Sequence, residues 1–214
     1  MTVAESISKR IKHMQKGRPF AGAMFAEEGP RAAVDKALSR LVKIGSLERV
    51  TRGVYMRPKV SVYIGQIRAN PVKVMEVITR AKGETVQIHG AEAVRRLGLS
   101  TQMQVLPTYY TSGSTREIRV GNAVVRLCHV SKARLQHAGT QVGVALTALY
   151  YLGKEEATEE VMSKIVKSLT EEEFKKLRAC RMPEWMRSAL SRGAKEHEWQ
   201  PPISIYHLQF KANS

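Results

Sequence analysis

The sequence is short of the side chains that most hydrolytic and phosphoryl-transfer chemistry needs. Its 214 residues hold one aspartate, Asp35, and 19 acidic residues in all against 35 lysines and arginines. Such reactions draw on clustered carboxylates to hold a metal or act as general base, whereas the glutamates here mostly fall near expected helix starts. A Gly-rich phosphate loop is also missing. Cys128 and Cys180 are the two cysteines, and neither has a second cysteine at metal-ligand spacing. His129 follows Cys128, but neighbours on a strand point to opposite faces and do not share an ion. Both cysteines read as reduced thiols of a cytosolic protein. His197, Glu198 and Trp199 make part of a zinc motif without its second histidine at helical spacing, and read as a surface helix end. No apolar run reaches the length of a membrane span, and the N-terminus lacks the apolar core of a signal peptide. Internal repeats and low-complexity tracts are absent. These lacks predict a cytoplasmic chain that is not an enzyme, with no cofactor, no metal and no membrane association.

What the sequence has is positive charge. The formal net charge is +16 and the sequence pI is near 10.1, enough to attract a polyanion, with nucleic acid the first candidate. Residues 1–60 carry 13 Lys and Arg against 5 acids, residues 61–152 carry 11 against 4, and residues 153–214 carry 11 against 10. The basic field therefore covers the first two thirds of the chain. The length suits two small domains with hydrophobic cores.

The most informative stretch runs from Gly29 to Lys59. Pro30 fits the first turn of a helix and Gly45 its end. Between them Val34, Ala37, Leu38 and Leu41, with Ile44 near the end, form one apolar stripe. The other face presents Ala32, Lys36, Ser39 and Lys43, flanked by Asp35 and Arg40, with Arg31 at the tip. Ser46–Val50 and Val54–Arg57 then read as a hairpin around Thr51, Arg52 and Gly53. A helix followed at once by a basic hairpin is the order of recognition helix and wing in a winged helix-turn-helix. Arg31, Asp35, Lys36 and Ser39 are the candidates for base edges; Arg18, Arg40, Lys43, Arg49, Arg52 and Arg57 are the candidates for phosphates. A helix with a basic outer face is by itself usually just solvated. The hairpin, the preceding helices and the net charge together favour DNA.

Upstream, Thr2 and Glu5 form a capping box before Val3, Ile7, Ile11 and Met14 at helical spacing, with Gly17 as the stop. Gly22–Glu28 suits a short second helix with Met24 and Phe25 inward. Downstream, alternation of Val60, Val62 and Ile64 predicts an extended, packed connection to Pro71. Helices are expected over Val72–Ala81 and Ala91–Leu97, with a short strand at Thr85–Ile88. Strands at Val105–Thr111, Glu117–Val120 and Ala123–Val130 read as an antiparallel meander. Gln141–Leu152 is apolar nearly all round, as a buried central helix would be. Further helices open at Thr158, at the Thr170–Glu173 capping box and at Pro183, and Ile203, Ile205 and Tyr206 suit an edge strand. His89 reads as a cap or packing residue, and Tyr109 and Tyr110 as half-buried strand residues or as stacking platforms for bases. Arg95, Arg96, Arg116, Arg119 and Arg126 are candidates for a second basic patch, although alternation puts Arg116 on the face opposite Arg119.

Two blocks in this order resemble the AbiEi-like antitoxin family of toxin-antitoxin and phage-defence systems. They are KALSRLVKIGSLERVTRGVYMRPK, Lys36–Lys59, and HGAEAVRRLGLSTQ, His89–Gln102, the latter followed by the strand ending TYYTSG at Gly113. The resemblance spans residues 2–152; the chain beyond about Glu155 has no counterpart in it. It implies a winged-helix domain that binds operator DNA and represses its own promoter. It also implies a second domain that neutralises a toxin resembling a nucleotidyltransferase, often without a stable complex. Lys36, Arg40, Arg49 and Arg52 match its DNA-facing positions. The sequence thus predicts an α+β chain: a winged helix-turn-helix over residues 1–59 and, over 60–214, a mixed domain with a meander and a helical C-terminal part. Its expected partner is double-stranded DNA upstream of its own gene. The alternative is a protein-interaction module that binds a toxin or effector through the second domain.

Overall fold

Thr2 and Glu5 exchange hydrogen bonds of 2.8 and 3.3 Å and open α1, Val3–Lys12, which buries Ile7 and Ile11. This is the capping box that the sequence predicts. The helix stops before Met14, which packs from the following turn. The computed structural model describes residues 1–63 and 65–194. Ile64, the His197-Glu198-Trp199 triplet and the edge strand expected at Ile203–Tyr206 lie outside the described residues.

After α1 come β1, Pro19–Ala21, and Gly22–Glu28, which forms a tighter 3₁₀ turn around buried Phe25. The principal basic helix, α2, spans Arg31–Lys43, with Pro30 at the cap position just before its first turn. Gly45 follows with φ +73°, a left-handed closing residue that only glycine adopts without strain. Strands β2, Glu48–Thr51, and β3, Val54–Met56, form the expected antiparallel hairpin around Arg52 and Gly53, whose φ is +75°. β1 pairs with the free edge of β3, giving the order β1-β3-β2.

The three residues of β3 serve two cores at once. Side chains alternate across a strand: Tyr55 packs with Ile7, Phe20, Phe25 and Leu38 in the first unit. Val54 and Met56 point the other way, into a cluster with Val74, Met75, Ile118, Val125 and Leu127. The boundary expected at residue 59 is therefore bridged by a shared apolar core.

The extended segment after Pro58 departs from expectation. It is a two-stranded ribbon, β4 at Val60–Ser61 and β5 at Gly65–Gln66, and its apolar residues are not packed: Val62 is 97% and Tyr63 96% exposed. Alternation here marks extended backbone without a buried face. Next is α3, Pro71–Ala81, capped by the Asn70 side chain, which accepts from Val72 and Lys73 at 2.9 and 3.2 Å.

β6, Val86–Ile88, leads through His89 into α4, Gly90–Arg96. β7, Thr108–Thr111, β8, Arg116–Val120, and β9, Ala123–His129, complete a sheet of order β6-β7-β9-β8. This is not a meander. β7 runs parallel to β9, and β8 returns beyond it, leaving the position that β9 fills. Burial explains the exchange: β9 carries Val125 and Leu127, both fully buried, and takes an inner position, whereas β8 is charged and takes the edge. β7 is also shorter than expected, because Val105 is fully exposed and the ladder starts after Pro107. α5, Gln141–Leu152, is the buried central helix, surrounded by α4, α6 at Glu159–Lys167, α7 at Glu171–Ala179 and α8 at Glu184–Ala194. The fold is α+β.

Because β3 joins both cores, Met56→Ala should cost about 2 to 5 kcal/mol. Urea unfolding followed by circular dichroism is expected to show a lower midpoint for the whole helical signal, with no surviving plateau from the second unit.

Candidate nucleic-acid interface

Burial of Val34, Ala37 and Leu38 fixes the rotation of α2, and that rotation decides which side chains face out. Arg31, Asp35, Lys36, Ser39, Arg40 and Lys43 are all exposed. Arg31, Asp35, Ser39 and Lys43 lie four apart on one ridge, with Lys36 and Arg40 on the next, a surface about 18 Å long at the usual helical rise. Arg49 and Arg52 are exposed on the adjoining hairpin. The N-terminal end of α2 and the hairpin turn meet across a groove of about 620 Å³, to which Arg31, Asp35 and Arg52 contribute. Gly22 lies beneath it, and a Cβ there would sit 3.0 Å from the Tyr55 ring and 3.1 Å from Leu38. Its bare backbone lets α2 and the hairpin close on each other.

The electrostatics of this surface differ from those of the second unit. Lys36, Arg40, Lys43, Arg49 and Arg52 make no ion pair among the described residues. Arg31 meets Asp35 at 3.7 Å with the two side chains 94% and 61% exposed, a pair too solvated to hold either residue in place. The five arginines that are candidates for a second basic patch each meet a carboxylate. Arg95 and Arg96 share Glu92 at 2.7 and 2.9 Å, Arg116 meets Glu84 at 2.6 Å, and Arg119 and Arg126 both reach Glu117 at 3.2 Å. Each of these arginines thus has a carboxylate beside it, although five arginines share three glutamates and the exposed pairs, such as Arg119 with Glu117, are weak.

Two of the sequence candidates leave the α2 surface. Arg18 lines a groove that it shares with β1 and with Arg80 of α3 and that contains no residue of α2. Arg57 is a structural clamp and not a free cation of the hairpin: its Nη1 donates to the carbonyl oxygens of Lys12 and Met14 at 2.7 and 2.6 Å. These are carbonyls at the C-terminal end of α1, which helical bonding leaves open and whose partial negative charge favours a cation. Gly17 N–H returns a bond to the Arg57 carbonyl at 2.9 Å.

The groove also contains residues that the sequence reading left out. Its third wall is the C-terminal end of α3, with Ile78, Ala81 and Lys82. Nothing local in the sequence marks Lys82 as a neighbour of Arg52, because their approach depends on β3 packing against α3.

His89 behaves as a cap. Its Nδ1 accepts the Ala91 N–H at 3.2 Å and lies 2.8 Å from the Gln104 amide nitrogen, and its ring meets Tyr110 at 4.8 Å. Burial, with a smaller push from Arg134, lowers its pKa and favours the neutral ring that such an acceptor needs. Tyr110 is buried and covered by the Arg134 guanidinium at 5.3 Å, so it offers no face to a base. Among the described residues no three His, Cys, Asp or Glu side chains gather at metal-binding range, and no helix is long and apolar enough to cross a membrane.

Arg57→Ala should lower stability by about 2 kcal/mol, the scale of charge-assisted hydrogen bonds left unmade, read as a lower urea midpoint at unchanged slope. Glu92 gives a pH signature. Hydrogen bonds from Arg95 above all hold its pKa at about 2, against an ordinary 4.5. A carboxylate lowered on folding contributes fully above its unfolded pKa and loses that contribution as pH falls through the folded one. The stability gap between wild type and Glu92→Gln should therefore be widest above pH 5 and close between about 4.5 and 2 in urea titrations.

Comparison with known proteins adds a family and little else. No curated protein sequence matches the chain. Among solved structures, the RV2827C protein from Mycobacterium tuberculosis aligns over 92% of this chain and 82% of its own, at 14% identity and a TM-score of 0.41. Residues 6–177, which include the groove between α2, the hairpin and α3, match the family described as "Family of unknown function (DUF6088)". The chain belongs to the DUF6088 family.

Proposed function

We propose that the chain is a sequence-specific DNA-binding protein that represses its own promoter, with residues 1–59 acting as a winged helix-turn-helix. The observation that carries this reading is the set of exposed, unpaired cations on α2 and the hairpin that follows it. Lys36, Arg40, Lys43, Arg49 and Arg52 are exposed and lack carboxylate partners among the described residues, while the arginines of the sheet and of α4 are paired. A phosphate backbone supplies the counter-charge that the protein itself withholds, and ion release from DNA drives the association. The element order supports the same reading: helix, strand, short helix, helix and hairpin, with the first strand on the free edge of the third.

In this arrangement the N-terminal half of α2 enters the major groove. Arg31 and Lys36 donate to guanine O6 or N7, Asp35 accepts from cytosine N4, and Ser39 serves either role. Arg40, Lys43, Arg49 and Arg52 hold phosphates and set the register. Antitoxin activity rests on the sequence resemblance alone, and co-expression with the toxin gene of the same operon tests it: growth should be restored by the full chain.

The direct test is binding to the DNA upstream of its own gene and to a scrambled duplex, each across a salt series. The own sequence should bind tighter by orders of magnitude, with a steep dependence on salt. Lys36→Ala should cost about 1 to 3 kcal/mol on the own sequence and little on the scrambled one. Arg52→Ala should weaken both alike and flatten the slope by about one. Equal, weak binding to both duplexes would reject the repressor reading.

A further inference from the structure

The groove beside Arg52 is closed on its far side by a helix from the second unit. Lys82 caps α3 and lines this groove together with Arg31 and Arg52. Arg80, two residues earlier, lines the adjoining groove together with Arg18. The two grooves share Ala21, Ala23 and Ala81, so they form one trough between β1 with its 3₁₀ turn and the end of α3.

Neither Lys82 nor Arg80 has a carboxylate partner among the described residues. Of the carboxylates nearest in sequence, Glu84 is engaged with Arg116 at 2.6 Å, and Glu76, which lines a neighbouring groove with Arg18 and Arg80, is bonded to Lys73 at 3.0 Å. The helix C-terminus itself carries a partial negative charge of about one half, which two full cations outweigh. Position is fixed as well as charge. Val54 and Met56 of the hairpin share a core with Val74 and Met75 of α3, and Val77 and Ile78 pack against that core. The end of α3 therefore cannot swing away from the hairpin turn without opening that core.

Resting on the DNA-binding reading above, we infer that the end of α3 belongs to the DNA-contacting surface: Lys82 and Arg80, together with Arg18, hold phosphates flanking those held by Arg52. The apolar floor beneath them, with Phe20, Met24 and Val77, is passed over by the backbone and not contacted. The interface thus crosses the boundary at residue 59, and the second unit helps to position the first on the duplex.

The test compares wild type, Lys82→Ala, Arg80→Ala and the double variant, with Lys132→Ala as an exposed lysine elsewhere, on the upstream duplex and the scrambled one across a salt series. Each substitution at α3 should flatten the log-log salt slope by about one, and the double variant by about two. Both duplexes should weaken in the same ratio, thermal midpoints should stay within a degree or two of wild type, and Lys132→Ala should behave as wild type. Wild-type binding with an unchanged slope in the double variant overturns this inference and leaves the repressor reading intact. A loss confined to the upstream duplex also overturns it, because it would make these residues base readers. No binding by wild type to either duplex rejects both readings together.

Discussion

The fold depends on a strand of three residues that faces two ways. β3 sends Tyr55 into the core under α2 and sends Val54 and Met56 into the core under α3. All three are buried, at 7%, 2% and 0% exposure. Each side would be an exposed apolar ridge without the other, and neither core closes without β3. The strand is also the centre of its own sheet, bonded to β1 on one edge and β2 on the other, so its backbone is satisfied on both sides. Burial on both faces with pairing on both edges is the least mobile setting a strand can have. The hairpin turn and the ends of α2 and α3 inherit that rigidity.

The parts of the fold that were legible in the sequence are those encoded within a few residues. The Thr2–Glu5 and Thr170–Glu173 capping boxes, the buried stripe of α2 at Val34, Ala37 and Leu38, the hairpin around Gly53 and the apolar α5 each follow from spacing or from one special conformer, whereas Ile44, expected to close that stripe, lies past the helix end and is 71% exposed. What was not legible depends on distant partners. The order of β7, β9 and β8 is decided by which strand has apolar residues to bury on the inside, a comparison between strands that no window contains. Exposure of Val62 and Tyr63 could not be read either, since alternation reports an extended chain and not what lies beside it.

The same division applies to the candidate interface. The outer face of α2 was readable because its inner face was. The clamp made by Arg57 is hidden because its carbonyl partners, Lys12 and Met14, lie 45 and 43 residues away; a hairpin arginine looks alike in sequence whether it clamps a helix end or faces solvent. The pairing of Arg116 is hidden for the same reason, with Glu84 32 residues distant. Arg95 and Arg96 are different, since Glu92 stands three and four positions before them on one helix. Their pairing is legible in the sequence, and a net charge counted by segment does not reveal it.

Net charge is a poor guide to where a polyanion would bind, and this chain shows why. Residues 1–60 and 61–152 carry similar excesses of lysine and arginine, yet in the second segment the arginines of the sheet and α4 are satisfied internally. A paired arginine would have to give up a carboxylate before meeting a phosphate, so much of the gain on binding would be offset. An unpaired, exposed one gives up only water and counterions. The unpaired set on α2 and the hairpin repels itself in the free protein, each close pair by up to about 1 kcal/mol in water at contact distance and less in salt. That mild self-repulsion is a cost in stability that the shared core under β3 can absorb, and it is relieved only when negative charge arrives from outside the chain.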